Sequence, residues 1–176
     1  VPGDQIILSG TIADHGVSIL SQRAGLPFES SVESDTAALH TLVPVILEAG
    51  GSCVHAMRDP TRGGVAAILN ELAQSSQTCI RIYEERIPVR QEVAAACEIL
   101  GLDPLNIANE GKLIAVVASD AADRVLYAMR THPLGSQSAV IGEVTEEQPG
   151  LVSLKTRIGC WRIVDMPTGE QLPRIC

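Results

Sequence analysis

The last residue of the chain is the first candidate for chemistry. Cys176 ends the run Leu172-Pro173-Arg174-Ile175-Cys176, and a thiolate is the strongest nucleophile among the ordinary side chains. A terminal residue on an extended arm can enter a deep pocket and withdraw again. Pro173 stiffens that arm and reduces the entropy lost on insertion. A prenylation box needs three residues after its cysteine, so that reading fails here. The plain alternative is a chance cysteine on a disordered tail.

Three internal segments also carry groups that could do chemistry. Arg58-Asp59-Pro60-Thr61-Arg62-Gly63-Gly64 places two glycines at a helix start, where each costs roughly 1 kcal/mol of helix propensity. Something must therefore approach the backbone closely. Asp59 is expected to cap the helix and Pro60 to occupy its first position. Bare N–H groups with Arg62 would suit a phosphate or carboxylate, whereas the structural alternative is a tight turn packed under a neighbouring strand. Asn109-Glu110-Gly111 precedes the most apolar run. A partly desolvated Glu110 there could accept a proton, or it could be a turn residue facing water. Asp14-His15-Gly16 opens a helix, with Asp14 a capping candidate and His15 able to bond a backbone carbonyl. The four histidines are isolated, with no H-x-x-x-H or H-E-x-x-H spacing, so no metal site is expected.

The elements that must hold these residues follow from hydrophobic period. Residues 5 to 11 read as a strand and residues 14 to 24 as a short helix closed by Gly25. Residues 27 to 34 read as a loop. From Thr36, the positions Leu39, Leu42, Val43, Ile46 and Leu47 mark one helical face, stopped at Gly50-Gly51. A strand over 53–57 leads into the glycine-rich segment, followed by a helix facing inward through Val65, Ile68, Leu69, Leu72 and Ala73. Residues 78 to 83 read as strand. Pro88 opens a third helix, with Val89, Val93, Ala96, Cys97 and Leu100 on one side and Gly101 at its end. The unbroken run over 112–118 predicts a central strand covered on both faces. Ser119 is expected to cap a helix with Ala122, Val125, Leu126 and Met129 inward. Strands follow near 138–144, 151–156 and 160–165. The pattern predicts a single α+β layered domain over 1–166, with a mixed, largely antiparallel sheet packed by helices, and a flexible tail over 167–176.

Composition narrows the classes. Apolar residues make up 45% of 176, and the formal charge is -8. That charge opposes non-specific attraction to nucleic acid or anionic membrane. Aromatic residues amount to one Trp, one Phe and two Tyr, too few for a base-stacking surface. No apolar run of 18 residues could span a bilayer. Five cysteines, at 53, 79, 97, 160 and 176, show no C-x-x-C pair and an odd count, which points to reduced thiols and a cytoplasmic protein. Cys53, Cys79 and Cys97 fall inside apolar periods and read as core, whereas Cys176 does not. Val1-Pro2-Gly3-Asp4 resembles a connector more than a native beginning, so an absent upstream domain is expected.

The segments Ser9-Gly10-Thr11 through Asp14-His15-Gly16, residues 58–64, Ala108-Asn109-Glu110-Gly111-Lys112, His132-Pro133-Leu134-Gly135 and the ending Pro173-Arg174-Ile175-Cys176 together resemble the nickel-iron hydrogenase maturation family HypE. That family lies in the superfamily of aminoimidazole ribonucleotide synthetase and selenophosphate synthetase. The resemblance covers essentially the whole chain, and its terminal Pro-Arg-Ile-Cys is the most specific element. It implies a fold like the carboxyl-terminal domain of aminoimidazole ribonucleotide synthetase. It further implies that Cys176 carries a carbamoyl group received from HypF. ATP with Mg2+ activates the carboxamide oxygen, and dehydration leaves a thiocyanate. The cyanide then passes to iron on HypC-HypD. By the same resemblance Glu110 accepts a proton and His15 orients a bond, while Asp59, Thr61, Arg62, Gly63 and Gly64 lie beside the nucleotide. The family's amino-terminal domain supplies most nucleotide contacts, the magnesium carboxylates and much of a homodimer interface. This chain alone is therefore expected to hold no cofactor tightly and to be inactive by itself. Two other readings stay open: a non-catalytic module that binds HypF or HypC-HypD, and another ATP-dependent small-molecule kinase of the superfamily.

Overall fold

The computed structural model describes residues 1–24 and 32–167. Gly25, most of the expected loop over 27–34, and the tail with Cys176 lie outside the described residues. Along the chain the elements are β1 (Gln5–Leu8), α1 (Asp14–Ala24), α2 (Leu42–Gly50), β2 (Val54–Arg58), α3 (Gly64–Ser76) and β3 (Cys79–Tyr83). They continue as α4 (Gln91–Leu100), β4 (Ile114–Val117), α5 (Ser119–Thr131), β5 (Ala139–Thr145), β6 (Val152–Lys155) and β7 (Trp161–Ile163). Short 3-10 turns join several of them.

The strands form one sheet in the order β2-β4-β1-β5-β3-β6-β7. Every neighbouring pair is antiparallel except β3 with β6, which is parallel. The expected mixed, largely antiparallel α+β fold is what forms. Alternation of side chains splits the core into two layers. Ile6, Leu8, Ile114 and Val116 face the apolar stripe of α3, built from Val65, Ile68, Leu69 and Ala73. Ile7, Ala115 and Val117 face Leu42 and Ile46 of α2 and Val125 and Met129 of α5. β4 is buried at all four positions, as its unbroken apolar run requires for a strand covered on both sides. A third cluster joins α1 to α4 through Ala13, Val17, Val93, Ala96 and Cys97, with Ile107.

Several boundaries differ from the sequence expectation, each for a local reason. The segment from Thr36 is extended rather than helical: Asp35 is bonded to residues 110–112 (below), and α2 starts only at Leu42 after a 3-10 turn over Leu39–Thr41. Pro88 lies before α4, not in it. Its carbonyl accepts from Ile12 N at 3.1 Å, and the helix begins after an extended Arg90. Ser119 is the first residue of α5, and no side chain caps that helix. Asp59 does not cap α3 and Pro60 is not its first residue, because Gly63 takes the cap position with φ +74° and the helix begins at Gly64.

Candidate active site

One side chain draws three of the predicted segments together. Asn109 is fully buried. Its Oδ1 accepts from Ala13 N at 2.8 Å. Its Nδ2 donates to Pro60 O at 2.9 Å and to Ile107 O at 3.1 Å. Its own backbone N–H also donates to Pro60 O, at 3.2 Å. The α1 start, the glycine-rich segment and the turn before β4 thus converge on one amide, with both its donors and one of its two acceptor positions in use. The sequence reading had placed Asn109 in a polar turn without assigning it this role.

The turn at the start of α1 is the most strained and least satisfied part of this assembly. Ala13 has φ +70°, a left-handed conformation costing a non-glycine residue roughly 1–2 kcal/mol. Asp14 is buried, and Thr11 Oγ1 donates to its Oδ2. Among the described residues its Oδ1 has no hydrogen bond, and Arg90 Nε lies 3.5 Å from it. His15 Nδ1 lies 2.8 Å from Ser34 Oγ, and its buried Nε2 has no hydrogen-bond partner among the described residues. Backbone strain and unpaired buried polar atoms are expensive, and they collect where a site needs them. Residues 13–15 therefore carry both backbone strain and buried polar atoms without hydrogen bonds among the described residues.

Glu110 is half-buried, and its backbone N–H donates to Asp35 Oδ1 at 3.1 Å. The other Asp35 oxygen faces Lys112 Nζ at 3.1 Å, with both side chains largely buried. A Cβ at Gly111 would sit 1.8 Å from Asp35 O, so only glycine lets residues 34–37 lie against the Glu110 turn. Gly10 makes similar room for the Lys112 stem, whose Cε lies 3.2 Å from the Cβ position. Asp35, Ser34 and Lys112 were absent from the candidates drawn from sequence. Ser34 and Asp35 sit in a polar stretch without period, and their partners are distant along the chain.

The glycine pair of residues 59–64 has a structural explanation. A Cβ at Gly64 would lie 2.4 Å from Leu105 O and 2.6 Å from Ile107 O. What approaches this backbone is the protein's own turn over residues 105–107, rather than the neighbouring strand named in the structural alternative. Asp59 and Arg62 are exposed, Thr61 is half-buried, and the segment closes on itself through Thr61 N to Asp59 O at 3.0 Å. Arg62 is an exposed cation of this segment. Among the described residues no group of three His, Cys, Asp or Glu could hold a metal ion. The His132 motif is a structural turn, with His132 Nδ1 accepting from Leu134 N at 3.2 Å. Pro167 Cγ lies 3.6 Å from the Cβ position of Gly63. The chain therefore arrives beside the glycine-rich segment nine residues before Cys176.

Two surface cavities lie away from this cluster. One, of about 290 Å³, is lined by His55, Leu72, Ser75, Ser76 and Thr78 among others. The second, of about 220 Å³, has an apolar floor from Ile87, Leu105 and Leu154 and a rim of Glu84, Asp103, Arg157 and Arg162. Neither contains Asp14, His15 or Glu110. Among the described residues no helix is long and apolar enough to cross a membrane.

Comparison with known proteins agrees with the geometry. Residues 1–155 match the family model for AIR synthase related protein, C-terminal domain. The carbamoyl dehydratase HypE of Rhizobium leguminosarum bv. viciae is 57% identical over 99% of this chain and 50% of its own length. The chain thus spans about half the length of the curated relatives it matches. A crystal structure of HypE in complex with ATP superposes with a TM-score of 0.92 at 45% identity, over 100% of this chain and 53% of that one. HypE in a HypE-HypF complex gives 0.90 at 43%, over 95% and 54%.

Proposed function

This chain belongs to the AIR synthase related family, as a carboxyl-terminal domain, and from that premise we propose that it is the thiol-bearing half of a carbamoyl dehydratase serving hydrogenase maturation in the cytoplasm. The observation that carries the reading is the cluster at residues 13–15. Strain and two buried polar atoms without hydrogen bonds among the described residues meet the Asn109 turn there, within a chain 57% identical to half of a HypE.

In this reading Cys176 receives a carbamoyl group from HypF and holds it as a thioester-like carrier, as sulfur does well. Bound ATP with Mg2+ supplies activation of the carboxamide oxygen. Thr61 and Arg62 would meet its phosphates, and the magnesium carboxylates would come from outside the described residues. Glu110 takes a proton from the carboxamide nitrogen during dehydration, while His15 orients the reacting group. Gly63 and Gly64 shape the turn that Pro167 passes, and Asp59 closes that turn through its carbonyl. The thiocyanate is then presented to HypC-HypD, where its cyanide passes to iron. The working protein is a homodimer completed by the half that the relatives carry before this domain. The chain by itself turns over no ATP.

A fusion of this chain behind the amino-terminal half of the rhizobial relative tests the reading by intact-protein mass. With a carbamoyl donor and ATP, the fusion gains one carbamoyl group and then loses one water. Cys176→Ala and Cys176→Ser stay unmodified. A modified Cys176→Ala protein would move the carrier elsewhere and refute the assignment. No dehydration in the wild-type fusion would favour a passive partner-binding module.

A further inference from the structure

His15 is wired to the surface. Its Nδ1 lies 2.8 Å from Ser34 Oγ, and Ser34 Oγ lies 2.8 Å from Thr36 Oγ1. Thr36 N also donates to Ser34 Oγ, at 3.2 Å. The ring is buried, while Ser34 and Thr36 are both exposed. We propose that Ser34 and Thr36 form a proton relay joining the buried His15 ring to solvent, so that a proton taken up at Nε2 is matched by one released at the surface.

Two arrangements satisfy every group equally. In the first, the Ser34 hydroxyl donates to His15 Nδ1, and the Thr36 hydroxyl and Thr36 N–H both donate to Ser34 Oγ. The ring then carries its proton on Nε2. In the second, Nδ1–H and Thr36 N–H donate to Ser34 Oγ, the Ser34 hydroxyl donates to Thr36 Oγ1, and Nε2 offers a lone pair. A hydroxyl has one donor and two acceptor positions, and Ser34 fills all three in both arrangements. The second passes to the first when Nε2 takes a proton. Nδ1 gives its proton to Ser34 Oγ, Ser34 gives its own to Thr36 Oγ1, and Thr36 gives one to water. One proton enters and one leaves. Loss of the Nε2 proton drives the same transfers in reverse.

A purely structural tie would need only the Nδ1 bond. The buried Nε2, without a hydrogen-bond partner among the described residues, leaves the ring's second nitrogen ready to accept or donate, and the surface hydroxyls give the proton an exit that a buried histidine otherwise lacks. The reading of this cluster as a dehydration site is the premise for the relay's use, but the relay's existence can be tested without it. Ser34 and Thr36 act through His15 and are positioning residues.

Two measurements decide the matter. Nitrogen-15 NMR of the histidine-labelled 176-residue chain reads the tautomer of His15. Wild type should show both tautomers in exchange. Thr36→Val removes the acceptor for Ser34 and should pin the ring with its proton on Nε2, while Thr36→Ser restores the exchange. In the fusion protein, single-turnover dehydration should slow by at least about a hundredfold in Thr36→Val, the lower end of what positioned proton transfer contributes, and recover in Thr36→Ser. An unchanged tautomer population in Thr36→Val overturns the relay. So does a changed population with an unchanged rate, which would leave only a structural tie. If the wild-type fusion does not dehydrate, the functional reading fails, and the NMR result still decides whether the relay exists.

Discussion

Substituting Asn109 tests whether one amide holds the candidate site together. In Asn109→Ala, Ala13 N–H and Ile107 C=O lose their partners, while Pro60 O keeps the bond from the Asn109 backbone. Each orphaned buried group costs about 1–3 kcal/mol, so the variant should lose about 2–5 kcal/mol. Folded domains hold only about 5–15 kcal/mol in all. Asn109→Asp is the sharper variant because it keeps size and the acceptor for Ala13 N. Its second oxygen must face the carbonyls that the amide served, at 2.9 and 3.1 Å, so an ionised carboxylate there should cost at least as much. Protonation restores one donor. The folded state therefore raises the carboxyl's pKa, and the deficit should shrink as pH falls from 7 to 5. Urea unfolding at both pH values, with an unchanged slope, is the assay. An Asn109→Asp protein within about 1 kcal/mol of wild type at pH 7, outside the range expected for a group so placed, would refute the assigned role.

Gly64→Ala should cost more than about 2 kcal/mol, because strain at φ +61° adds to contacts of 2.4 and 2.6 Å with two carbonyls. Gly101→Ala shares the left-handed backbone at φ +66° with nothing within 4 Å, and should cost only about 1 kcal/mol; thermal denaturation ranks the two. Burial, with Asp103 adding to it, pushes the Cys97 thiol up from its usual 9.0 to about 11. The folded state holds that proton more tightly, so the associated stability is complete below pH 9 and lost as pH rises towards 11. Cys97→Ala should flatten the decline in unfolding free energy across that window, and an undiminished decline would count against the assignment.

Periodicity made much of the fold legible. The stripes of α3 and α5 and the unbroken apolar run of β4 determine which face each element buries, and the structure follows them. What could not be read is pairing between distant residues. Asp35 looks like a loop residue until Lys112 and the Glu110 N–H are seen beside it. Gly63-Gly64 invited an anion because sequence shows the cost of glycine but not what comes close, which is a carbonyl-rich turn forty residues away (roughly). Asn109 was visible as a polar turn, yet its role depends on three segments that only the folded chain brings together. Arg90, which faces Asp14, carried no sequence signal for the same reason, and Thr11 stood in a resembling segment without its bond to Asp14 being legible.

The strand order has a consequence for biosynthesis. β1 occupies the middle of the sheet, and both its neighbours come late: Ile6 pairs with Val116 and with Gly142. Among the described strands only β6 and β7 are adjacent both in sequence and in the sheet. A ribosome therefore releases Ile6, Ile7 and Leu8 long before anything exists for them to pair with, and contacts so distant in sequence close slowly. Until β4 emerges, the helices can form but β1 has neither of its sheet neighbours, and the nascent chain carries an unpaired apolar strand. That interval is when aggregation competes with folding. Translation speed up to residue 117, and any chaperone that covers the first strand, should govern the yield of folded protein.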